Sequence, residues 1–174
     1  MKNYLYFISV FAGLATGQAL AETSGIENWG AATNYLQMSI SLKGGERQIK
    51  TNQAIVLSIQ LRNLSTNETF HFYQYGEVER SQALSFCVIP PSGKTINPKT
   101  PWSSRGQGSF VDVGPGEVKG IEFNLSKICK FDELGTYKIV GGCFLGYWLD
   151  REGKISKNVR VNSNPLNVSI VSSE

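Results

Sequence analysis

The chain has 174 residues, 41% of them hydrophobic, and its 17 basic and 14 acidic side chains leave a net charge of +3. That length suits one domain with a real core better than two. Near-balanced charge without a basic cluster argues against a nucleic-acid or anionic-membrane surface. One histidine and three scattered cysteines offer little to a metal.

Residues 1–21 read as an export signal. Lys2 gives a positive head, residues 4–15 form an uncharged apolar run, and Ala19-Leu20-Ala21 presents the small residues that signal peptidase reads. The run is short for a membrane span, and Gly13, Gly17 and Gln18 weaken its second half. Cleavage is expected after Ala21, and no later run reaches the length of a membrane helix. The protein is accordingly expected to be secreted or periplasmic. Residues 22–33, polar apart from Ile26 and Trp29, are expected to be a flexible lead-in to a single domain over 34–174.

From there the chain alternates. Leu36, Met38, Ile40 and Leu42 share one face of a strand over 34–42, and Ile55, Leu57, Ile59 and Leu61 share one face over 53–63. So clean an alternation predicts antiparallel sheet, buried on one side. Strands are predicted over 68–75 and 83–89, the second stopped by Pro90-Pro91. Residues 94–108 are the least regular, with only 95–97 able to form a short strand, and 109–113 is expected at an edge. Gly114-Pro115-Gly116 turns the chain into a strand ending near Asn124. A short helical turn and Leu134-Gly135-Thr136 lead to a strand with Tyr137, Ile139 and Gly141 on one face and Lys138, Val140 and Gly142 on the other. A minor strand around Ile155, Val159 and Val161 and a last one over 166–171 complete the set, with first and last strands expected as neighbours or close to it.

Many short strands with a single helical turn predict an all-β protein, an antiparallel β-sandwich of immunoglobulin-like wiring with that helical turn between two late strands. A β-barrel is the alternative. Tyr137, opening its strand after a corner, is expected to bond its hydroxyl to nearby backbone.

Little points to catalysis, and no cofactor is implied. A Cys87–His71 nucleophile pair is conceivable, but His71 between Phe70 and Phe72 reads as an ordinary sheet residue. Neither Glu77 with Glu79 nor Asp132-Glu133 makes an acid/base pair. In an exported chain Cys87, Cys129 and Cys143 predict one disulfide and one buried thiol, with the pairing open and a bond involving Cys143 favoured. Binding fits better. Trp102 and Arg105 in the irregular segment, and Tyr147 and Trp148 in the aromatic group that includes Phe144, are the candidate partner-binding residues. Four Asn-x-Ser/Thr triplets, beginning at Asn63, Asn67, Asn124 and Asn167, match the glycosylation pattern, but the motif is so short that chance matches are expected, and without the eukaryotic machinery they would mean nothing.

Several motifs together resemble those of bacterial exported immunoglobulin-like modules: Ile59-Gln60-Leu61-Arg62-Asn63, Leu84 to Val88 followed by Pro91-x-Gly93, the turn from Val113 to Glu117, Asn124-Leu125-Ser126, and Gly135-Thr136-Tyr137. The likeness spans about residues 38–170. Related sandwiches include small proteinase inhibitors and accessory domains of secreted proteases, so the resemblance implies a non-catalytic interaction module, with proteinase inhibition one possibility within it. The expected partner is another exported or envelope protein. The alternative is a carbohydrate or cell-wall ligand stacked on the same aromatics.

Overall fold

The computed structural model describes residues 28–75, 83–99, 108–148 and 155–173. The expected export signal at 1–21, Trp102 and Arg105 lie outside the described residues.

Ten strands are described: β1 (Leu36–Leu42), β2 (Gln48–Lys50), β3 (Val56–Asn63), β4 (Phe70–Tyr75), β5 (Leu84–Ile89), β6 (Gly108–Val113), β7 (Val118–Asn124), β8 (Gly135–Trp148), β9 (Ile155–Asn162) and β10 (Leu166–Val171). They make two sheets, β1-β3-β7 and β2-β10-β8-β4-β6, with β5 and β9 also on β8. Lettered by their place in an immunoglobulin sandwich, the first sheet is A-B-E and the centre of the second is G-F-C. The 3-10 turn Leu125–Lys127, the helical element among the described residues, sits in the E–F connection, as expected. The protein is an immunoglobulin-like β-sandwich.

Alternation explains the core. In β3 every second residue, Leu57, Ile59 and Leu61, is buried, and β1 meets it in antiparallel register from Leu36 opposite Asn63 to Leu42 opposite Leu57. Across the interior Phe86 and Phe123 pack with ring centroids 4.7 Å apart, joining the two sheets.

The long strand β8 is the spine of the second sheet. Along one edge it pairs first with β10, Ile139 opposite Leu166, and then with β9, Gly142 opposite Asn162. Its other edge takes β5, from Lys138 opposite Ile89 to Cys143 opposite Leu84, and then β4, where Gly146 faces His71. Two adjacent glycines permit this. A β-carbon on Gly141 would approach Met38 Cε at 2.8 Å and Ile40 Cγ2 at 3.1 Å, so its absence lets β1 close over β8. On the opposite face, one on Gly142 would meet Ser85 Oγ at 2.8 Å and Asn162 Oδ1 at 3.0 Å. The strand predicted to end near these glycines therefore continues to Trp148.

The structure departs from expectation in three further places. β1 and β10 lie in different sheets and are not neighbours. β2, too short to show a pattern around its one buried residue Ile49, pairs with β10 in parallel, the exception in an otherwise antiparallel arrangement. The described part of the 22–33 lead-in is tied to the sandwich. Gly30 N–H donates to Met38 O at 2.9 Å. Asn164 Nδ2 donates to Trp29 O at 2.7 Å. The Arg62 guanidinium lies 4.3 Å from the Trp29 ring centroid.

The predicted disulfide is not formed: Cys87, Cys129 and Cys143 are all free. Register explains why. Cys87 lies opposite Val140, between buried Phe86 and Val88, and so on the outer face, whereas Cys143 is on the inner face. Cys129 lies beside Tyr137, and from Tyr137 to Cys143 β8 extends roughly 20 Å. A disulfide needs Cα atoms within about 7 Å. Burial pushes the Cys143 thiol up to about 12 and also raises Cys129, with Asp132 adding to the latter. Brief alkylation of native protein near pH 8 should therefore label Cys87 first, and intact mass without reduction should show three thiols. A bridge in that spectrum, or Cys143 labelled as fast as Cys87, would contradict the arrangement.

The expected tyrosine corner is present. Glu133 N–H donates to the Tyr137 hydroxyl at 2.9 Å, and the ring is buried edge-on against Phe131, with centroids 5.1 Å apart. Tyr137→Phe removes this bond while keeping the ring, and should cost about 1 kcal/mol in denaturant unfolding.

Candidate binding surfaces

Four elements meet at one end of the sandwich: the hairpin before β1, the 64–69 loop after β3, the turn before β7, and the distal part of β8. Asn63 organises the centre. Fully buried, its Nδ2 donates to Glu68 O at 2.7 Å and Val113 O at 3.0 Å, and its Oδ1 accepts from Ser65 N–H at 2.8 Å. Both amide protons of the first Asn-x-Ser triplet are thus structural. Ser65 continues the loop, its Oγ accepting from Glu68 N–H at 2.9 Å.

In the Val113–Val118 turn, Gly116 takes φ +70° after Pro115, and Glu117 Oε2 accepts from Gly114 N–H at 2.8 Å. Lys119 Nζ stands 2.6 Å from Glu117 Oε1. This lysine, with the Gly114 N–H, holds the Glu117 carboxyl below the ordinary carboxylate range. A depressed carboxyl stabilises the fold above its unfolded value and loses that contribution as pH falls through the lower folded value. Acid unfolding of Glu117→Gln should therefore lack one component that appears below about pH 4.5 in the parent.

The hairpin carries the least comfortable backbone. Thr33 and Leu36 exchange both backbone hydrogen bonds around Asn34 and Tyr35, which have φ +46° and +66°. A two-residue turn of this kind wants positive φ at both positions; asparagine accepts it readily and a bulky tyrosine does not. Tyr35 is nevertheless 60% exposed. Leu64 N–H donates to Tyr35 O at 2.6 Å, and Leu64 is 44% exposed. Val118, 45% exposed, lies opposite Arg62 in the adjoining strand. Backbone pairing thus sets Tyr35 beside Leu64, and Val118 beside the arginine that stacks on Trp29.

Of the residues singled out from sequence, Tyr147 and Trp148 fall in β8 at this same end, paired with Lys157 and Ile155 across a register shift. The irregular segment containing Trp102 and Arg105 re-enters the sheet at Gly108, opposite Tyr75, while the other end of that ladder pairs Phe70 with Val113. The two stretches therefore leave the scaffold at different heights. Tyr35, Leu64 and Val118 were not legible as a site, because only tertiary pairing brings them together. The signal that existed was Asn34, a left-handed-turn residue at a strand entrance, with no glycine after it to mark a hairpin.

His71 is the sheet residue it was expected to be. Its Nδ1 lies 2.6 Å from Oδ1 of its cross-strand partner Asp112. It pairs at Gly146 on β8 and Cys87 at Val140, roughly 20 Å of strand apart, so no nucleophile pair forms. Among the described residues no three His, Cys, Asp or Glu side chains converge to hold a metal, and no helix is long and apolar enough to cross a membrane. A cleft of about 300 Å³ beside the E–F connection is lined by Pro90, Ile96, Cys129 and Tyr137. Two of its polar groups serve the fold: the Glu133 carboxylate accepts from Ser92 N–H at 3.0 Å and Ser92 Oγ at 2.8 Å, and the Tyr137 hydroxyl is the corner bond.

No family model matches the chain, and none of the curated proteins does. Among solved structures it is similar to the C-terminal domain of Wzt, at 10% identity over 82% of this chain and 77% of that one, with a TM-score of 0.45. It is similar to a CARDB domain from Pyrococcus furiosus, in complex with two metal ions, at 15% identity over 82% and 94%, with a TM-score of 0.37. It is also similar to a PapD-like domain of human CEP192, at 10% identity over 81% and 88%, with a TM-score of 0.35. Scores this low carry no information on ligands. The class of protein is defined by strand order and the tyrosine corner: an immunoglobulin-like sandwich.

Proposed function

We propose that this is an exported, non-catalytic interaction module that binds another exported or envelope protein through the end of the sandwich where Tyr35, Leu64 and Val118 meet. The observation that carries the reading is Tyr35, a large aromatic side chain held exposed on left-handed backbone beside two exposed aliphatic residues. Such strain costs about 1 kcal/mol or more and is characteristic of binding sites. Exposed aromatics among aliphatic neighbours are typical anchors of protein contacts.

Tyr147 and Trp148 belong to the proposed surface through their position at the distal end of β8. Trp102 and Arg105 remain candidate partner-binding residues on the composition of the irregular segment alone. Secretion or periplasmic residence rests on the signal-like residues 1–21, and proteinase inhibition rests on the resemblance of residues 38–170 to exported sandwich modules.

Tyr35→Gly separates stability from binding. Glycine suits the turn, so the variant should be as stable as the parent or more so by up to about 1 kcal/mol, while losing the partner captured from the same compartment. Undiminished capture by this variant and by Leu64→Ser would sink the proposal.

A further inference from the structure

The outer face of the second sheet carries an arrangement that neither the fold nor the protein-binding proposal uses. Phe144, on β8, is 46% exposed. Arg160 lies opposite it on β9, with its guanidinium carbon 5.1 Å from the ring centroid. A β-carbon on Gly142 would lie 3.7 Å from Arg160 Nε, so the missing side chain is part of what lets the arginine lie across the strand. Gly142, two positions before Phe144 on the same face, is covered by Ser85 Oγ and Asn162 Oδ1, which stand beside the ring and the arginine. Arg160 is exposed and has no ion-pair partner among the described residues, and its guanidinium stands over the Phe144 ring.

The described side chains nearby are neutral or basic: Ser85, Asn162 and, further along the same face of β8, Lys138. The acid described on this face, Asp112, lies two strands away against His71. We propose that this face binds an acidic saccharide, its carboxylate taken by the guanidinium fork of Arg160 and its sugar ring packed against Phe144. A planar fork held in place matches a carboxylate bidentately. A half-exposed ring suits the apolar face of a sugar, and Ser85 and Asn162 supply the hydroxyl and amide that sugar hydroxyls require. An acidic peptide fits less well. Peptides commonly join a sheet by adding a strand, and both edges of β8 around Phe144 are already taken, by β9 and by the Phe144 N–H bond to Ala83 O at 2.7 Å. This site lies on the opposite sheet from Tyr35 and Leu64, whose variants test the protein-binding reading, so the two proposals fail separately.

Titration calorimetry of the exported protein at low salt would use three probes: trigalacturonate, neutral galactotriose, and triglutamate. Trigalacturonate should bind, weakening as salt rises, with the other two weaker by about tenfold or more. Arg160→Lys keeps the charge and loses the fork, and should weaken trigalacturonate by about tenfold; Phe144→Ala should do likewise. Leu64→Ser, at the other surface, should change nothing. The proposal is overturned if trigalacturonate does not bind, if Arg160→Lys binds it as tightly as the parent, or if galactotriose or triglutamate matches it. Should a variant fail to fold, the three probes on the unaltered protein still decide.

Discussion

Gly30→Ala should lower the stability of the protein by about 3 kcal/mol, equivalent to about 6–12 °C in melting temperature. A β-carbon there would collide with the carbonyl oxygen of Asn162 and come within 3.0 Å of two further backbone atoms. Backbone on a paired strand cannot yield as a flexible side-chain tip can. The alternative for the variant is to release residues 28–33, with the same order of cost. That forfeits the Gly30 N–H bond to Met38, the Gln37 Nε2 bond to Gly30 O at 3.2 Å, the Asn164 bond to Trp29 O, and the Trp29–Arg62 stack. Denaturant unfolding measures the loss. A change below about 0.5 kcal/mol would mean that residues 28–30 do not sit between β1 and the β9–β10 corner in solution.

Asn63→Ala should be comparably damaging, at about 3 kcal/mol, for a different reason. It strands two carbonyls and one N–H, each paired with this side chain, where β3, the 64–69 loop and β6 converge. Asn63→Asp is the sharper test. It matches the shape and can still accept from Ser65 N–H, but it sets a carboxylate oxygen against the carbonyls of Glu68 and Val113. It should be at least as harmful as alanine, and the damage should lessen at low pH, where a protonated carboxyl can donate one of the two bonds. An aspartate variant as stable as the parent at neutral pH would refute this role for Asn63.

The strands that were legible in sequence are those with one buried face. Residues 53–63 and 166–171 alternate because the inner face of each sheet is dry and the outer face wet, and the structure places their apolar positions inward. Tyr137 was legible for a similar reason: a corner tyrosine has a fixed chemical task.

What stayed hidden depended on contacts distant in sequence. Gly141-Gly142 looks like the end of a strand, and only the approach of Met38, Ile40 and Asn162 shows why glycine is needed in its middle. β2 has too few residues for periodicity. The disulfide expectation followed from export and cysteine count, whereas face and register, which place Cys87 outside and Cys143 inside, cannot be read before the strands are paired. The same holds for binding. Tryptophans drew attention by composition, while Tyr35, Leu64 and Val118, ordinary strand or turn residues in sequence, gain meaning from exposure and from the hairpin backbone.

Both proposed surfaces depend on β8 being paired along its two edges, which brings Arg160 to Phe144 and fixes which end of the sandwich the 64–69 loop and the β8 tail share. The most direct measurement is the set of backbone proton contacts of β8 by NMR in solution. The pairing predicts that Cys143 lies across from Leu84 on one side and Val161 on the other, and that Gly146 lies across from His71. Contacts along one edge alone, or Cys143 and Leu84 out of register by a residue, would reverse the faces and contradict the account.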